Sequence, residues 1–268
     1  MPEFAVSSYY ENEFEKDPEA VFIDVHSEEQ EVTYGCGPAV LTDILKTLNY
    51  SVTQNEILEE ARKGVEIIPG KDPALTIEKI GTPTQVMKDI LERHGVSIDV
   101  KESVSEINEE TKEEAEKYLD KTLESGKVII CPVQTIPDYG YQRNINEDGH
   151  YVIVCGKVTI SGRKYYITVD PMFHRYQRAS NEGSVYSFHM GDSLREGMPK
   201  STPYRRTDTV DTRNLRYTDE ELKSFVIDPS KYGLRFVVAS HFIEYWKDVS
   251  GFGDFYNFYG ITVKIKKD

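Results

Sequence analysis

The sequence predicts an α+β fold, with helices concentrated in its first half and strands in its second. After Pro38 the apolar residues recur at helical spacing as far as Leu48, which is typical of a helix with one buried face. Apolar and alternating runs between 127 and 169 are typical of strands. With 268 residues, the chain is long enough to bury a large core.

The composition excludes several classes of protein. A chain that is 38% hydrophobic and 29% charged is typical of a soluble globular protein. Its formal net charge of -14 repels nucleic-acid phosphates and anionic membranes, so we expect neither as a partner. Three cysteines and an N-terminus without a signal pattern predict a cytoplasmic protein, although export by a route without a cleavable signal stays open. The sequence does not predict an oligomeric state.

In the first half, two capping-box patterns mark the starts of helices, Thr53-Gln-Asn-Glu56 and Thr82-Pro-Thr-Gln85. The first predicts a helix to about Gly64, and the second a helix that stops at Gly95. The other predicted elements are an extended arm over 1–20, a strand over 21–25, the helix after Cys36 to about Asn49, a loop-rich connection over 64–81, a strand over 96–100 and a charged helix over 108–125 with a solvated face.

In the second half, the runs at 127–133, 150–156 and 164–169 predict strands. Ser161-Gly162 is typical of a turn, so the last two runs predict a hairpin. The remaining predicted elements are a short helix at 219–224, strands at 236–238 and 259–265, and a helix at 241–247. No repeat or linker separates the halves, and we predict a single domain over 21–268.

Cys36 is the candidate nucleophile. It lies at the start of the predicted helix, where the helix dipole favours a thiolate. Gly35 and Gly37 remove the neighbouring side chains, so that backbone and ligand can approach closely. A buried structural cysteine would not need such surroundings, and we therefore favour the nucleophile.

His150 and Asp170 supply a candidate base and its orienting group, which a cysteine nucleophile requires. His150 begins one strand of the predicted hairpin and Asp170 ends the other, so they come nearly opposite about a turn at 159–163. Directly opposed residues have Cβ atoms about 4.5–5.5 Å apart, within reach of an imidazole–carboxylate hydrogen bond.

Gln30 is the candidate oxyanion donor. Its side-chain amide can donate to a developing oxyanion, together with the backbone N–H of Cys36 at the helix start. The alternative interpretation is an ordinary loop glutamine. Its place shortly before a glycine-flanked cysteine favours the oxyanion role.

The other cysteines do not extend this set. Side chains alternate along a strand, so in a regular strand Cys155 points away from His150. Cys131 lies in an apolar run and is interpreted as a core residue. We therefore predict no metal site and no cofactor.

Three segments together resemble papain-like cysteine peptidases, most of all the branch that processes bacteriocin leaders (double-glycine peptidases): Gln30-Glu-Val-Thr-Tyr-Gly-Cys-Gly-Pro-Ala-Val40, Gly149-His-Tyr-Val-Ile-Val-Cys-Gly156 and Thr168-Val-Asp-Pro171. The resemblance covers roughly residues 20–171. It implies a papain-like fold, in which a helical lobe with the nucleophile helix packs on an antiparallel sheet. It also implies Cys36 as nucleophile, His150 as general base and acid, Asp170 as orienter, Gln30 as oxyanion donor, and a peptide or protein substrate.

The chain departs from that family by a long insertion at about 172–235. Between Met172 and Arg216 it carries eight Lys and Arg against five Asp and Glu, a local net of +3. We hypothesise that Arg205 and Arg206 hold an acidic substrate or partner, while Gly35 and Gly149 leave room for substrate. The alternative is a solvated loop that covers the sheet.

Several functions stay open on these residues. The first is hydrolysis of a peptide or amide bond through a thioester, of which isopeptide cleavage is a variant. The second is deamidation of glutamine, or transfer of the acyl group to an amine. The third, of a different class, is a non-catalytic binding module that kept the fold. The sequence does not identify the scissile bond.

Overall fold

A computed structural model describes residues 16–32, 34–70, 72, 76–134, 149–160, 162–171, 234–247, 249–251 and 254–265. The helices are α1 (Cys36–Thr47), α2 (Gln54–Glu66), α3 (Ile77–Ile80), α4 (Thr84–Arg93), α5 (Glu109–Glu124) and α6 (Ala239–Tyr245). The strands are β1 (Val21–Phe22), β2 (Ile98–Lys101), β3 (Lys127–Gln134), β4 (Gly149–Ile160), β5 (Arg163–Val169), β6 (Leu234–Val238), β7 (Val249–Gly251), β8 (Asp254–Tyr256) and β9 (Gly260–Lys264). No helix in these ranges is both long and apolar enough to cross a membrane.

One antiparallel sheet organises the described residues. Its strands follow the order β2-β9-β3-β4-β5-β6, with β1 paired to β4, while β7 and β8 form a separate hairpin. The last strand, β9, lies between β2 and β3, so the end of the described chain forms an interior strand of the sheet. Helices packed on an antiparallel sheet confirm the predicted α+β fold.

The core joins the apolar face of α1 to the sheet. Val40, Leu41, Ile44 and Leu45 are buried together with the central residues of β3 and β4. These four residues recur at the spacing that places them on one side of a helix. The burial of this stripe fixes α1 against the sheet, and α1 carries Cys36 at its first position.

One of the two predicted capping boxes forms and the other does not. At α2, the Thr53 hydroxyl accepts from the Glu56 N–H at 3.2 Å, and the Glu56 carboxylate accepts from the Thr53 N–H at 2.8 Å. The prediction of a capping box at Thr82 is wrong. Helix α4 begins one residue later than predicted, with Pro83 as its N-cap and no side-chain cap. The Thr82 side chain is instead turned towards Gly37.

The charged helix α5 is less solvated than its composition predicts. It begins after Asn108, whose side chain accepts from the Thr111 N–H at 2.9 Å, and it ends before Gly126. Part of its acidic face lies against the sheet, where Lys157 contacts Glu124 at 2.6 Å. Lys164 contacts Glu116 and Asp120 in the same way, so α5 is held to β4 and β5 by charge as well as by apolar packing.

Other helices and strands differ from prediction mainly at their ends. Helix α1 stops at Thr47 and α2 runs on to Glu66. The single turn α3 and the β7–β8 hairpin were not predicted. The predicted helix at 219–224, residues 1–15 of the arm, and 172–233 of the insertion lie outside the described residues.

Candidate active site

Cys36 is the first residue of α1 and is only 6% exposed. The two glycines beside it are required by packing. A Cβ on Gly35 would lie 2.9 Å from a Val32 methyl and 3.0 Å from the Val32 carbonyl oxygen. A Cβ on Gly37 would lie 2.6 Å from the Cβ of Thr82. The space beside both glycines is therefore filled by the protein's own residues.

The structure brings His150 and Asp170 into direct contact. His150 is the second residue of β4, Asp170 follows the last residue of β5, and both are almost fully buried. His150 Nε2 donates to Asp170 Oδ1 at 2.8 Å. Because Nε2 is engaged by the carboxylate, Nδ1 is the ring nitrogen that remains for another partner.

The two residues are diagonal rather than directly opposite. Ile153 pairs with Val169, so the next position along β5, Asp170, comes beside Val152. His150 lies two residues further along β4, on the same face of the sheet as Val152. The predicted contact is therefore made across a diagonal, which long polar side chains can span.

The electrostatics of the pair favour an imidazolium. Burial on its own lowers the pKa of His150, but the charge and hydrogen bond of Asp170 outweigh it. A side-chain hydrogen bond to Cys36, and the charge of Cys36, act in the same direction and help raise the pKa of His150 to about 10. His150 thus connects the carboxylate to the cysteine, the order that a thiolate–imidazolium pair requires.

Gln30 is buried and tied to both sides of this site. Its main-chain N–H donates to the carbonyl of Pro171, the residue after Asp170, at 3.0 Å. Its side-chain Nε2 donates to the Val32 carbonyl at 2.8 Å. A primary amide nitrogen carries two N–H bonds, so the bond to Val32 does not by itself exhaust its donor capacity.

Tyr151 and Thr82 support the site and were missed by the sequence interpretation. The Tyr151 hydroxyl donates to the Thr82 carbonyl at 2.9 Å, and both residues are fully buried. Burial, then the neighbouring Tyr256 and Cys36, raise the pKa of Tyr151 well above its usual value, so it stays protonated and can donate. Its only signal in the sequence was its position next to His150.

Three further predictions concern substrate and metal. Gly149 is the half-buried first residue of β4, whereas Arg205 and Arg206 lie outside the described residues. Within the described ranges no group of three or more His, Cys, Asp or Glu side chains could hold a metal ion. Cys155 is buried, is in no disulfide, and its thiol donates to the Ile167 carbonyl at 3.5 Å.

Comparison with known proteins identifies the family. Residues 22–188 match the Peptidase_C39 like family, which is more than half of the chain. No curated protein matches the sequence. The chain therefore belongs to the Peptidase_C39 like family, and this membership supports a cysteine-peptidase type of activity on a peptide or protein substrate.

Proposed function

We propose that the chain is a cysteine peptidase that cleaves a peptide or amide bond through a thioester on Cys36. The observation that carries this proposal is the buried position of His150 between the Asp170 carboxylate and the Cys36 thiol. A histidine with these two partners can hold a thiolate and then deliver its own proton.

In the acylation step, the Cys36 thiolate attacks the carbonyl carbon of the scissile bond. The electron pair moves to the carbonyl oxygen, which the Gln30 amide and the Cys36 main-chain N–H stabilise in the tetrahedral intermediate. The His150 imidazolium then gives its proton to the leaving amine as the C–N bond breaks. A thioester and a neutral imidazole remain.

In the deacylation step, the roles of His150 reverse. Neutral His150 takes a proton from a water molecule, and the resulting hydroxide adds to the thioester carbonyl. Collapse of the second tetrahedral intermediate releases the carboxylic acid and restores the thiolate–imidazolium pair. Asp170 keeps the imidazole orientation constant through both steps, because its bond to Nε2 leaves Nδ1 towards the sulfur.

Mass spectrometry of a peptide library incubated with the protein tests this proposal. We expect cleaved chains with the wild type and none with Cys36→Ala. Cys131→Ala is the matched control, since Cys131 is also buried but lies in the interior of β3. A gain of about one dalton at glutamine, or an amine adduct, would replace hydrolysis by deamidation or acyl transfer on the same thioester. A Cys36→Ala variant that keeps the biological effect of the protein would favour a binding module.

A further inference from the structure

Gln54 is a buried polar residue at the start of α2, only 5% exposed. Its side-chain carbonyl accepts from the main-chain N–H of Glu31 at 3.1 Å. Its side-chain amide donates to the main-chain carbonyl of Glu29 at 2.7 Å. One side chain therefore bonds the main chain on both sides of Gln30.

The same loop is held from the opposite direction by the end of β5. The Gln30 N–H donates to the Pro171 carbonyl at 3.0 Å, while its side chain bonds Val32. Gln54 thus anchors the main chain beside Gln30 to α2, and Pro171 anchors the same loop to the end of β5. Each bond constrains the main chain from which the Gln30 side chain projects.

Gln54 lies in the capped first turn of α2, and its position requires an amide. Gln54 directly follows Thr53, the N-cap of α2, whose capping box with Glu56 fixes the first turn. Its position needs one donor and one acceptor, which a glutamine side chain supplies and an ionised glutamate does not. Gln54 Nε2 also lies 3.5 Å from a carboxylate oxygen of Glu28, so a negative charge at position 54 would be repelled.

We propose that Gln54 is a positioning residue that acts through Gln30, holding its amide where the oxyanion forms. This inference rests on the proposed function, because it assumes that Gln30 is the oxyanion donor. Gln54 does not contact the reacting atoms in this mechanism. Its effect is confined to steps in which negative charge develops on a carbonyl oxygen.

Two small probes separate such a step from the reactivity of the thiol. p-Nitrophenyl acetate acylates Cys36 through a tetrahedral oxyanion, forming a thioester and releasing p-nitrophenolate. Iodoacetamide alkylates Cys36 by displacing iodide at a saturated carbon, and no oxyanion forms. Acylation is followed by the release of p-nitrophenolate and alkylation by the mass of the Cys36 peptide, with Cys36→Ala as the background for both.

We expect Gln54→Ala to slow acylation roughly ten- to a hundredfold, as expected when a catalytic group is misplaced by about an ångström. Alkylation should stay within about twofold, because the pairing of Cys36 with His150 is untouched. The double variant Gln30→Ala/Gln54→Ala should acylate no more slowly than Gln30→Ala alone. Gln85→Ala is the matched control, since the exposed Gln85 amide bonds Asp89 on its own helix, and both of its rates should equal the wild type.

Gln54→Glu gives a readout that a purely structural role would not change. A protonated glutamic acid supplies one donor and one acceptor, which are the groups that the bonds to Glu29 and Glu31 use. The acylation rate of Gln54→Glu relative to the wild type should therefore rise as the pH falls. The stability of the variant rises over the same range by linkage, so both rates are compared only at pH values at which both proteins are fully folded. A ratio that does not change with pH would contradict the proposed geometry.

Other outcomes separate this inference from the proposed function. Equal losses of acylation and alkylation in Gln54→Ala, or an equal loss in the Gln30→Ala background, overturn the positioning role. A defect in Gln30→Ala without one in Gln54→Ala overturns this inference alone. An unchanged acylation rate in Gln30→Ala refutes the oxyanion role of the proposed function, and this inference fails with it.

Discussion

Replacement of Asp170 by asparagine removes a charge from the site and keeps its shape. Asp170 and His150 are 3% and 5% exposed, so solvent screens their interaction very little. Asparagine can still accept from Nε2 through its side-chain carbonyl, 2.8 Å being the distance in the wild type. The variant therefore tests the charge of Asp170 rather than its hydrogen bond.

The size and sign of the effect follow from the pKa of His150. Loss of an adjacent opposite charge should lower this pKa by about 1–3 units, which is about 1.4–4 kcal/mol at about 1.4 kcal/mol per unit. In the wild type the pKa is raised from 6.5 to about 10, so its stabilising contribution is complete below pH 6.5 and is lost as the pH rises to about 10. That contribution is at most about 5 kcal/mol.

Denaturant unfolding of both proteins between pH 6 and 10 measures this contribution. We expect the free energy of unfolding of the wild type to exceed that of Asp170→Asn most near pH 6. The two values should converge towards pH 10. The difference between the proteins cancels the titration of all other groups that the substitution leaves unchanged. The alkaline limb of Cys36 acylation should move to lower pH by the same 1–3 units, as roughly expected for the lost charge. A stability difference that stays constant across this range would refute the reasoning.

Two further predictions concern the pair and the packing of the helices. His150→Ala should slow alkylation of Cys36 by iodoacetamide near pH 7 by about tenfold or more, because an unassisted thiol is only a few per cent ionised there; an unchanged rate would contradict the pairing. Gly64→Ala should cost about 1–3 kcal/mol, because its Cβ would lie 2.6 Å from a Val86 methyl. In a Val86→Ala background that methyl is gone, and Gly64→Ala should stabilise α2 by up to about 1 kcal/mol. A change in stability of the same sign in both backgrounds would exclude the clash.

The features that the sequence predicted best are those with local causes. The apolar stripe after Pro38 placed Cys36 at a helix start, since the spacing alone defines the buried face. Thr53 and Glu56 are three residues apart and form their capping box without help from the rest of the chain. The hairpin of β4 and β5 likewise follows from two runs and the turn between them.

The features that the sequence did not predict depend on distant residues. Thr82 has the same local pattern as Thr53, yet the close approach of Gly37 and the bond from Tyr151 determine where it lies. Gln54 lies 23 positions beyond Glu31, and no spacing rule connects the two. Such contacts exist only once α1, α2 and the sheet have packed together.

The contact between His150 and Asp170 depends on an irregularity in β4. The turn pairs Ile160 with Arg163, and a regular ladder continued from there would set Asp170 opposite Ile153, on the face away from His150. The register shifts by one between Val154 and Gly156, so that Cys155 is an extra residue and Asp170 comes beside Val152 instead.

The prediction that His150 and Asp170 meet therefore assumed a regular strand and a slightly different turn. The structure reaches the same contact with a tighter turn and a bulge. The bulge is also compatible with tight packing at Gly156, where a Cβ would lie 2.5 Å from the Val21 carbonyl oxygen of β1. Because a shift of one residue exchanges the two faces of a strand, the bulge at Cys155 is what places the carboxylate and the imidazole on the same side of the sheet.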